Sequence, residues 1–425
     1  MAAPLPLPAP APAREPMRLA YWALIAFLVV YCARPEDWIP GVGHLHLDKI
    51  AGGVALAAAA MSALSGQGRD LKLPKSVRLL VVLFVQLFLA ALFSPVWRGG
   101  ALSMVMDDFS KVVLIAIVIV WTGTLAARLR TLLFVQAATV VVIGAVSIYK
   151  DRMLSGWRLE GVLGGMYSNP NDLALSLAIA VPLCFGFLLI APGKLRKLAW
   201  LGSIVLILYT ITLTMSRGGL LSVLAAIGFS VWEFGFRGKR RWLVSLTLLL
   251  VAASIAIAMP SGYGKRVYSI LHPGADGTGS ANARIALQER SLLVTLEHPL
   301  LGVGPGDFQV LSGSWHVTHD SYTQMSAEGG VPALVLYLMI MWYAFADLRV
   351  AKRDRNPQVR IMAGAIQGAL FAYLIGSFFS SVAYLFFPYI FVAYGCALRR
   401  AGALSAASEN AEVPAAAPGE LACAG

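Results

Sequence analysis

The sequence predicts an all-α, polytopic integral membrane protein with about twelve transmembrane helices. Of its 425 residues, 58% are hydrophobic and only 13% are Asp, Glu, Lys or Arg, and the mean hydropathy is +0.72. Soluble domains rarely combine so little charge with so much apolar surface. Apolar runs of near-spanning length recur, such as Leu19 to Ala33, Arg78 to Phe93 and Lys111 to Ala127. Such runs form helices in hydrocarbon, because a helix satisfies its own backbone polar groups.

The apolar runs place twelve spans along the chain. Their centres lie near residues 26, 57, 86, 118, 140, 181, 207, 225, 250, 338, 370 and 390. Between the last two spans only the segment SSVA, residues 380–383, interrupts the apolar sequence. One long tilted helix is therefore the alternative to two separate spans.

The placement of basic residues predicts the topology. Most Lys and Arg fall in alternate connections, so the positive-inside rule makes both termini cytoplasmic. The net charge of +12 reflects this bias and attraction to anionic membrane lipids, and we expect no nucleic-acid partner. The predicted divisions are a disordered cytoplasmic tail at 1–17, spans one to nine at 18–259, a helical outer loop at 260–328, spans ten to twelve at 329–400 and a disordered cytoplasmic tail at 401–425.

The long outer loop contains a predicted amphipathic helix that is capped near Asn282 and ends at Pro299. We expect it to lie on the outer membrane surface. Its apolar side carries Ile285, Leu292, Leu293 and Leu296, and its polar side carries Arg284, Gln288, Ser291 and Thr295. Three glycines in the following segment LGVGPGDF, residues 301–308, predict a turn that returns the chain to the membrane.

Two polar groups stand at predicted span ends. Arg217 lies close to hydrocarbon, where an arginine either anchors the helix at the interface or meets an anion. The adjacent Gly218 and Gly219 favour the second interpretation, because they would let a ligand approach the backbone. The segment YSNPNDLALS carries Asn169, Asn171 and Asp172. Helix-start chemistry explains one Asn and the Pro, and the remainder could bind a hydroxyl-rich ligand or brace the loop.

The segment Ser314 to Gly330 gathers most of the outer polar groups. His319 is a candidate general base, with Asp320 or Glu328 as a group that could orient it, and His316 competes by composition alone. The loop lacks a recognisable metal-ligand spacing such as His-Glu-x-x-His, so we expect no metal.

Together these motifs resemble the O-antigen ligase and polymerase superfamily. The motifs are Tyr167-Ser-Asn-Pro-Asn-Asp172, Ser216-Arg-Gly-Gly219, Arg284 in a loop helix, the segment His298 to Phe308, and His319-Asp-Ser-Tyr322 ahead of Glu328-Gly-Gly330. The resemblance extends from about residue 155 to about residue 345. The family commonly has Asn after the histidine, whereas this chain has Asp320, and that departure leaves the subfamily and its acceptor open.

The resemblance implies a GT-C-type glycosyltransferase of the bacterial inner membrane with its active site facing the periplasm and the long loop periplasmic. It would work without metal or other cofactor. The implied donor is a glycan on undecaprenyl diphosphate, and the acceptor is a sugar hydroxyl of the lipid A-core or of another glycan. In this sequence Arg217 and Arg284 would hold the diphosphate, and His319 would activate the acceptor. Asn169, Asn171, Asp172, Asp320, Tyr322 and Glu328 would bind glycan or acceptor or support the site.

Three alternatives remain at this point. A polymerase would use the same donor, and protein O-glycosylation is also open, whereas the ligase is the preferred interpretation. A lipid-linked glycan transporter or flippase is the alternative from a different class, since twelve spans with both ends inside suit it equally well. A transporter would place charged groups and broken helices near the bilayer midplane, whereas the polar groups of this sequence gather on one face.

Overall fold

A computed structural model of the protein describes residues 17–66, 72–155, 157–161, 167–243 and 279–412, with isolated positions between 245 and 272. This part of the chain is predominantly helical. Its α-helices are α1 (Arg18–Ala33), α2 (Pro35–Trp38), α3 (Leu47–Leu64), α4 (Lys75–Leu92), α5 (Arg98–Ser103), α6 (Ser110–Thr122), α7 (Ala126–Lys150), α8 (Pro170–Ile190), α9 (Lys194–Thr214), α10 (Arg217–Ser230), α11 (Ser280–Glu297), α12 (Phe308–Leu311), α13 (Ser321–Ala351), α14 (Pro357–Gly376) and α15 (Phe386–Glu412).

Short irregular helices and one hairpin complete the described elements. The hairpin pairs β1 (Met153–Leu154) with β2 (Arg158–Leu159) in antiparallel fashion between α7 and α8. Turns of 3-10 helix span Gly43–Leu45 and Ser377–Phe379. Turns of π-helix span Met104–Phe109, between α5 and α6, and Val231–Arg237, at the end of α10.

Nine helical segments among the described residues are long and apolar enough to cross a membrane. They are Arg18–Trp38, Gly43–Leu64, Lys75–Leu92, Ala126–Lys150, Pro170–Ile190, Lys194–Thr214, Arg217–Arg237, Ser321–Ala351 and Pro357–Phe379. The predicted spans near residues 118 and 390 fall in α6 and α15, which are helical but do not belong to that set. The span predicted near residue 250 lies mostly outside the described residues. The protein is thus an all-α, polytopic membrane protein.

The last two predicted spans are separate helices. Residues 377–385 form a 3-10 turn and then irregular backbone between α14 and α15. The alternative of one long tilted helix is therefore wrong.

Helix α8 forms the centre of the bundle. It packs against α7, α9, α10 and α14, and 89% of the residues in its most apolar stretch are buried inside the protein. Small residues allow these close crossings, as is usual where lipid offers no hydrophobic drive for association. A Cβ on Gly186 would lie 2.9 Å from the Cβ of Ala365, and a Cβ on Gly368 would lie 3.0 Å from Pro182.

Helix α13 is broken at Gly330, whose φ of 78° and ψ of 171° are not helical. The break leaves carbonyl groups of the preceding turn without helical donors, because Pro332 has no N–H. The glycine loop, residues 299–307, fills this gap. Its N–H groups at Val303 and Gly304 donate to the carbonyls of the turn before Gly330 at 2.9 and 3.0 Å. The predicted turn is therefore also the hydrogen-bonding partner of a broken membrane helix.

The irregular backbone between α14 and α15 is also satisfied by side chains. The Ser321 hydroxyl donates to the Ser380 carbonyl at 2.7 Å and accepts from the N–H of Val382 at 2.9 Å. The Tyr373 hydroxyl donates to the Val382 carbonyl at 3.1 Å, and that of Tyr389 donates to the following carbonyl at 2.7 Å. Buried irregular backbone of this kind is tolerated at membrane depth only where protein groups replace water.

Helix α11 packs its polar side against the start of α13. It begins at Ser280, just before the predicted cap, and follows Gly279 without a side-chain cap. Its buried Leu287 and Val294 join the glycine loop and α12 in a small second core. The predicted apolar side is exposed at Ile285, Leu292, Leu293 and Leu296, as expected for a helix that faces a membrane surface.

The chain termini differ partly from the predicted tails. Residues 1–16 and 413–425 lie outside the described residues. Helix α15 continues to Glu412, so it extends past residue 400, where the sequence predicted a disordered tail to begin. The segment after residue 400 is rich in alanine, which has the highest intrinsic helix propensity.

We expect the hydroxyls of Tyr373 and Tyr389, which bond to the irregular backbone between α14 and α15, to stabilise the fold. Tyr389→Phe would leave the Ala383 carbonyl unpaired and cost about 1–3 kcal/mol, visible as a lower midpoint of thermal unfolding in detergent. The matched control is Tyr394→Phe in the same helix, because the Tyr394 hydroxyl is buried without a hydrogen-bond partner in the described structure. Equal stabilities of the two variants would contradict this account.

Candidate functional site

Six parts of the chain meet at the end of the bundle where α8, α10 and α13 begin. We call this group the polar end. It comprises Arg158, residues 169–172, residues 216–217, Arg284 with Gln288, residues 318–321 and residues 380–381. Direct hydrogen bonds and electrostatic contacts connect these parts into one network.

His319 stands immediately before α13 in a left-handed backbone conformation, with φ of 55°. Histidine adopts this region more readily than most residues, and such conformations often occur at functional sites. Its N–H donates to the Ser381 hydroxyl at 2.8 Å, and the same hydroxyl is 2.9 Å from that of Thr318. The break between α14 and α15 therefore fixes the position of His319.

The His319 imidazole is held neutral. Burial and then the positive charge of Arg284, with a smaller contribution from His316, lower the pKa of His319 from 6.5 to about 4. A histidine in this state can accept a proton at neutral pH. The competing candidate His316 is exposed, and its Nδ1 lies 2.6 Å from the Ser314 carbonyl.

Asp320 organises the helices around His319. Its Oδ1 accepts the N–H groups of Tyr322 at 2.8 Å and Thr323 at 3.4 Å, which caps α13. Its Oδ2 accepts from Gln288 at 3.4 Å and so ties α13 to α11. Burial raises the pKa of Asp320, while the two capping N–H groups oppose that shift. The described contacts of this carboxylate are with the two helices, whereas the sequence suggested that it orients the imidazole.

The start of α8 connects two other parts of the polar end. Asn169 caps the helix through its Oδ1, which accepts the Asn171 N–H at 2.8 Å. The Oδ1 of Asn171 accepts from Arg158 at 2.9 Å and from the Ser216 hydroxyl at 2.8 Å. Asn171 therefore braces the loops on either side of it, which was one of the two predicted roles for this cluster.

Asp172 and Arg284 join the start of α8 to His319. Asp172 is hydrogen-bonded to Ser380 and lies within electrostatic range of Arg284. Arg284 also acts on the charge state of His319. Residues that are far apart in sequence thus meet in one region, where the Arg284 guanidinium acts electrostatically on both a carboxylate and a neutral imidazole.

Arg217 is the first residue of α10 and is half-buried. The preceding Ser216 caps the helix by accepting the Gly219 N–H at 3.0 Å. The interpretation that the two glycines admit a ligand is wrong. A Cβ on Gly218 would lie 2.6 Å from the Cβ of Phe379, and a Cβ on Gly219 would overlap Ala174. The glycines therefore allow α10 to pack closely against α8 and against the 3-10 turn Ser377–Phe379.

Glu328 and Tyr322 lie in the first part of α13, after His319, and make contacts that support the site. Glu328 is buried and faces the backbone N–H groups of Gly306 and Phe308 and the side chains of Gln324 and Tyr384. It therefore holds the glycine loop, whereas the sequence suggested it as a group that could orient His319. The Tyr322 hydroxyl donates to the Leu374 carbonyl at 2.9 Å.

Three members of the polar end were not identified from the sequence. Arg158 donates through Nε to the Thr214 carbonyl at 3.0 Å and through Nη2 to Asn171. The sequence clue to Arg158 was its position in the polar connection that leads to the segment Tyr167 to Asp172. Ser380 and Ser381 formed the only interruption of a long apolar run, and that interruption marked the break.

Comparison with known families agrees with the motifs. Residues 202–338 match the family model described as O-antigen ligase. The matched segment includes Arg217, Arg284, His319 and Glu328, and the Asn motif of α8 precedes it. No curated protein matches the chain.

The match confirms the resemblance to the O-antigen ligase and polymerase superfamily. Over these residues the chain is similar to ligase- or polymerase-like membrane enzymes. Among the described elements, the match covers the later part of α9, all of α10, α11 and α12, and the first part of α13.

We expect Arg158 to hold the turn that precedes Arg217. Arg158→Gln would remove charged hydrogen bonds to Thr214 and Asn171 and destabilise the protein by about 1–3 kcal/mol, with faster amide hydrogen exchange at the start of α10. The matched control is Arg152→Gln in the same hairpin. The ion pair of Arg152 with Glu160 is 3.9 Å long and partly exposed, so its loss should cost less than about 1 kcal/mol. Equal effects of the two substitutions would contradict the bracing role.

Proposed function

We propose that the protein transfers a glycan from undecaprenyl diphosphate to a sugar hydroxyl of a lipid A-core acceptor. The reaction takes place at the periplasmic face of the bacterial inner membrane, requires no metal, and inverts the anomeric centre. One observation carries this proposal. His319 is neutral and lies within electrostatic range of Arg284, at the end of the bundle where Arg217 begins α10.

The donor diphosphate binds Arg217 and Arg284. A guanidinium presents several N–H donors in a planar fork that matches phosphate oxygens and keeps its charge at any working pH. Arg217 is fixed by the packing of Gly218 and Gly219, and Arg284 lies on α11, which Gln288 ties to Asp320. These two supports preorganise positive charge where the leaving group develops negative charge.

The acceptor is activated by His319. The acceptor oxygen attacks the anomeric carbon as the bond from that carbon to the diphosphate oxygen breaks, and the bonding electrons leave with the diphosphate. The hydroxyl proton passes to the neutral imidazole, which later releases it to water. Attack on the face opposite the diphosphate gives inversion.

The distribution of charge supports a periplasmic site. The bundle end opposite the polar end carries Arg237, Arg240, Lys352 and Arg360 around one cavity. By the positive-inside rule this basic end faces the cytoplasm, so the polar end faces the periplasm and both termini are cytoplasmic. A polytopic helical bundle with its site at one membrane face and a helical outer loop is also consistent with a GT-C-type architecture.

A polymerase would use the same donor chemistry at the same residues, and only the acceptor would differ. A transporter agrees less well with the geometry. The residues of the polar end gather at one end of the helices, whereas alternating access needs a polar site near the bilayer midplane.

The first test is transfer in lipid vesicles. We expect the reconstituted wild-type protein to join an undecaprenyl-diphosphate-linked glycan to a lipid A-core acceptor, as detected by mass spectrometry. His319→Ala should abolish the product, because the variant lacks the imidazole that accepts the proton of the acceptor hydroxyl. His316→Ala is the matched control and should retain transfer, since His316 is exposed.

Each other outcome contradicts a defined part of the proposal. Normal turnover by His319→Ala would contradict the catalytic assignment. A ladder of longer lipid-linked chains would identify a polymerase. Movement of intact donor across the bilayer without any covalent product would support the transporter.

The second test is the pH dependence of transfer. In the protein without bound donor, the pKa of His319 is about 4, so its base form persists well below pH 6.5. The acid limb of the pH profile of kcat/KM should therefore lie nearer pH 4 than pH 6.5. Arg284→Gln should move this limb to higher pH, since loss of the cation makes protonation of His319 easier. An acid limb near 6.5 that does not respond to Arg284→Gln would contradict the electrostatic coupling.

A further inference from the structure

A basic cavity lies at the bundle end opposite the polar end. It has a volume of about 330 Å³ and is lined by the π-helical end of α10, the residues that follow it, Lys352 and the start of α14. Arg217 and Arg237 mark the two ends of one 21-residue helical segment, so the cavity is about 30 Å from the polar end. It is separate from the site proposed above.

The cavity concentrates positive charge. Its lining includes Arg237, Arg240, Lys352 and Arg360, and Glu233 is its only carboxylate among the described residues. Lys352 and Arg237 pair with Glu233 at 2.9 and 3.2 Å. The lining keeps a net charge of +3 after Glu233 is counted. Such an accumulation of cations is stabilised by a bound anion.

The shape of the cavity is built by local structure. The chain from Val231 to Arg237 is π-helical, a rare geometry often found at functional sites. Gly364 of α14 lets this turn approach closely, since a Cβ there would lie 3.2 Å from both Glu233 and Phe234. Arg360 is held by the carbonyls of residues 354 and 355 at 3.0 and 2.9 Å. Contacts within the protein thus position Arg360, as the ion pairs with Glu233 position Lys352 and Arg237.

Neighbouring aromatic residues place the cavity at the depth of lipid head groups. Trp232 and Phe236 on the same turn are 59% and 58% exposed, and exposed Trp at a helix end is typical of the membrane–water interface. Phe234 and Ile361 add an apolar part to the lining. The combination matches a ligand that carries both a phosphate and hydrocarbon.

We propose that this cavity binds the phosphate-bearing head group of an anionic phospholipid. Arginine forks bind the phosphate oxygens, and Phe234 and Ile361 contact the first part of the acyl chains. The lipid joins α10 to the start of α14 and to the end of α13. This site does not depend on the proposed transfer reaction.

The test uses the full chain in nanodiscs or detergent with zwitterionic phosphatidylcholine. We expect added phosphatidylglycerol to raise the thermal unfolding midpoint and to remain bound in native mass spectrometry. Arg240→Gln and Arg360→Gln should each weaken phosphatidylglycerol binding about fivefold. The matched control is Arg353→Gln, because Arg353 is exposed at the same end and does not line the cavity.

The remaining arms separate the possible sources of phosphate. Inorganic phosphate should give little stabilisation, and an effect equal to that of phosphatidylglycerol would overturn the lipid assignment in favour of a free anion site. Equal binding by Arg240→Gln, Arg360→Gln, Arg353→Gln and the wild type would overturn the site itself. Equal binding of phosphatidylcholine and phosphatidylglycerol would show that charge is not recognised.

Discussion

The structure depends on one constraint, which is that irregular backbone inside an apolar bundle must find hydrogen-bond partners within the protein. Two breaks create this need, at Gly330 within α13 and between α14 and α15. The glycine loop satisfies the first break, and Ser321 with two tyrosines satisfies the second. The second break presents Ser381 to the N–H of His319. The candidate base is therefore positioned by the same groups that make the break possible.

Electrostatic organisation follows from that framework. Burial and Arg284 both disfavour the protonated form of His319, so the cation that we propose for donor binding also keeps the imidazole neutral. Asp320 and Asp172 lie close to this region, but Asp320 is engaged by α13 and α11, and Asp172 is hydrogen-bonded to Ser380. At the opposite end, four cations surround one carboxylate. The long helices thus connect two regions that each gather cationic side chains.

The sequence predicted the helical membrane architecture because apolar runs and alternating basic connections carry that information directly. It also singled out Arg217, Arg284, His319 and the segment Tyr167 to Asp172 as candidates, since polar residues at span ends stand out against an apolar background, and the structure brings them to one end of the bundle. It could not assign Gly218 and Gly219 correctly, because one helix does not reveal which helix crosses it. Asp320 and Glu328 were similarly ambiguous, since their partners lie in α11 and the glycine loop. Arg158 was missed because a lone basic residue in a loop resembles many solvated arginines.

The most direct measurement of the central claim is an experimental structure of the protein with a non-hydrolysable diphosphonate analogue of the lipid-linked donor. The account predicts that the diphosphonate lies between the guanidinium groups of Arg217 and Arg284, with the anomeric carbon facing the His319 imidazole. A diphosphonate bound away from both arginines, or an anomeric carbon that no base approaches, would contradict it.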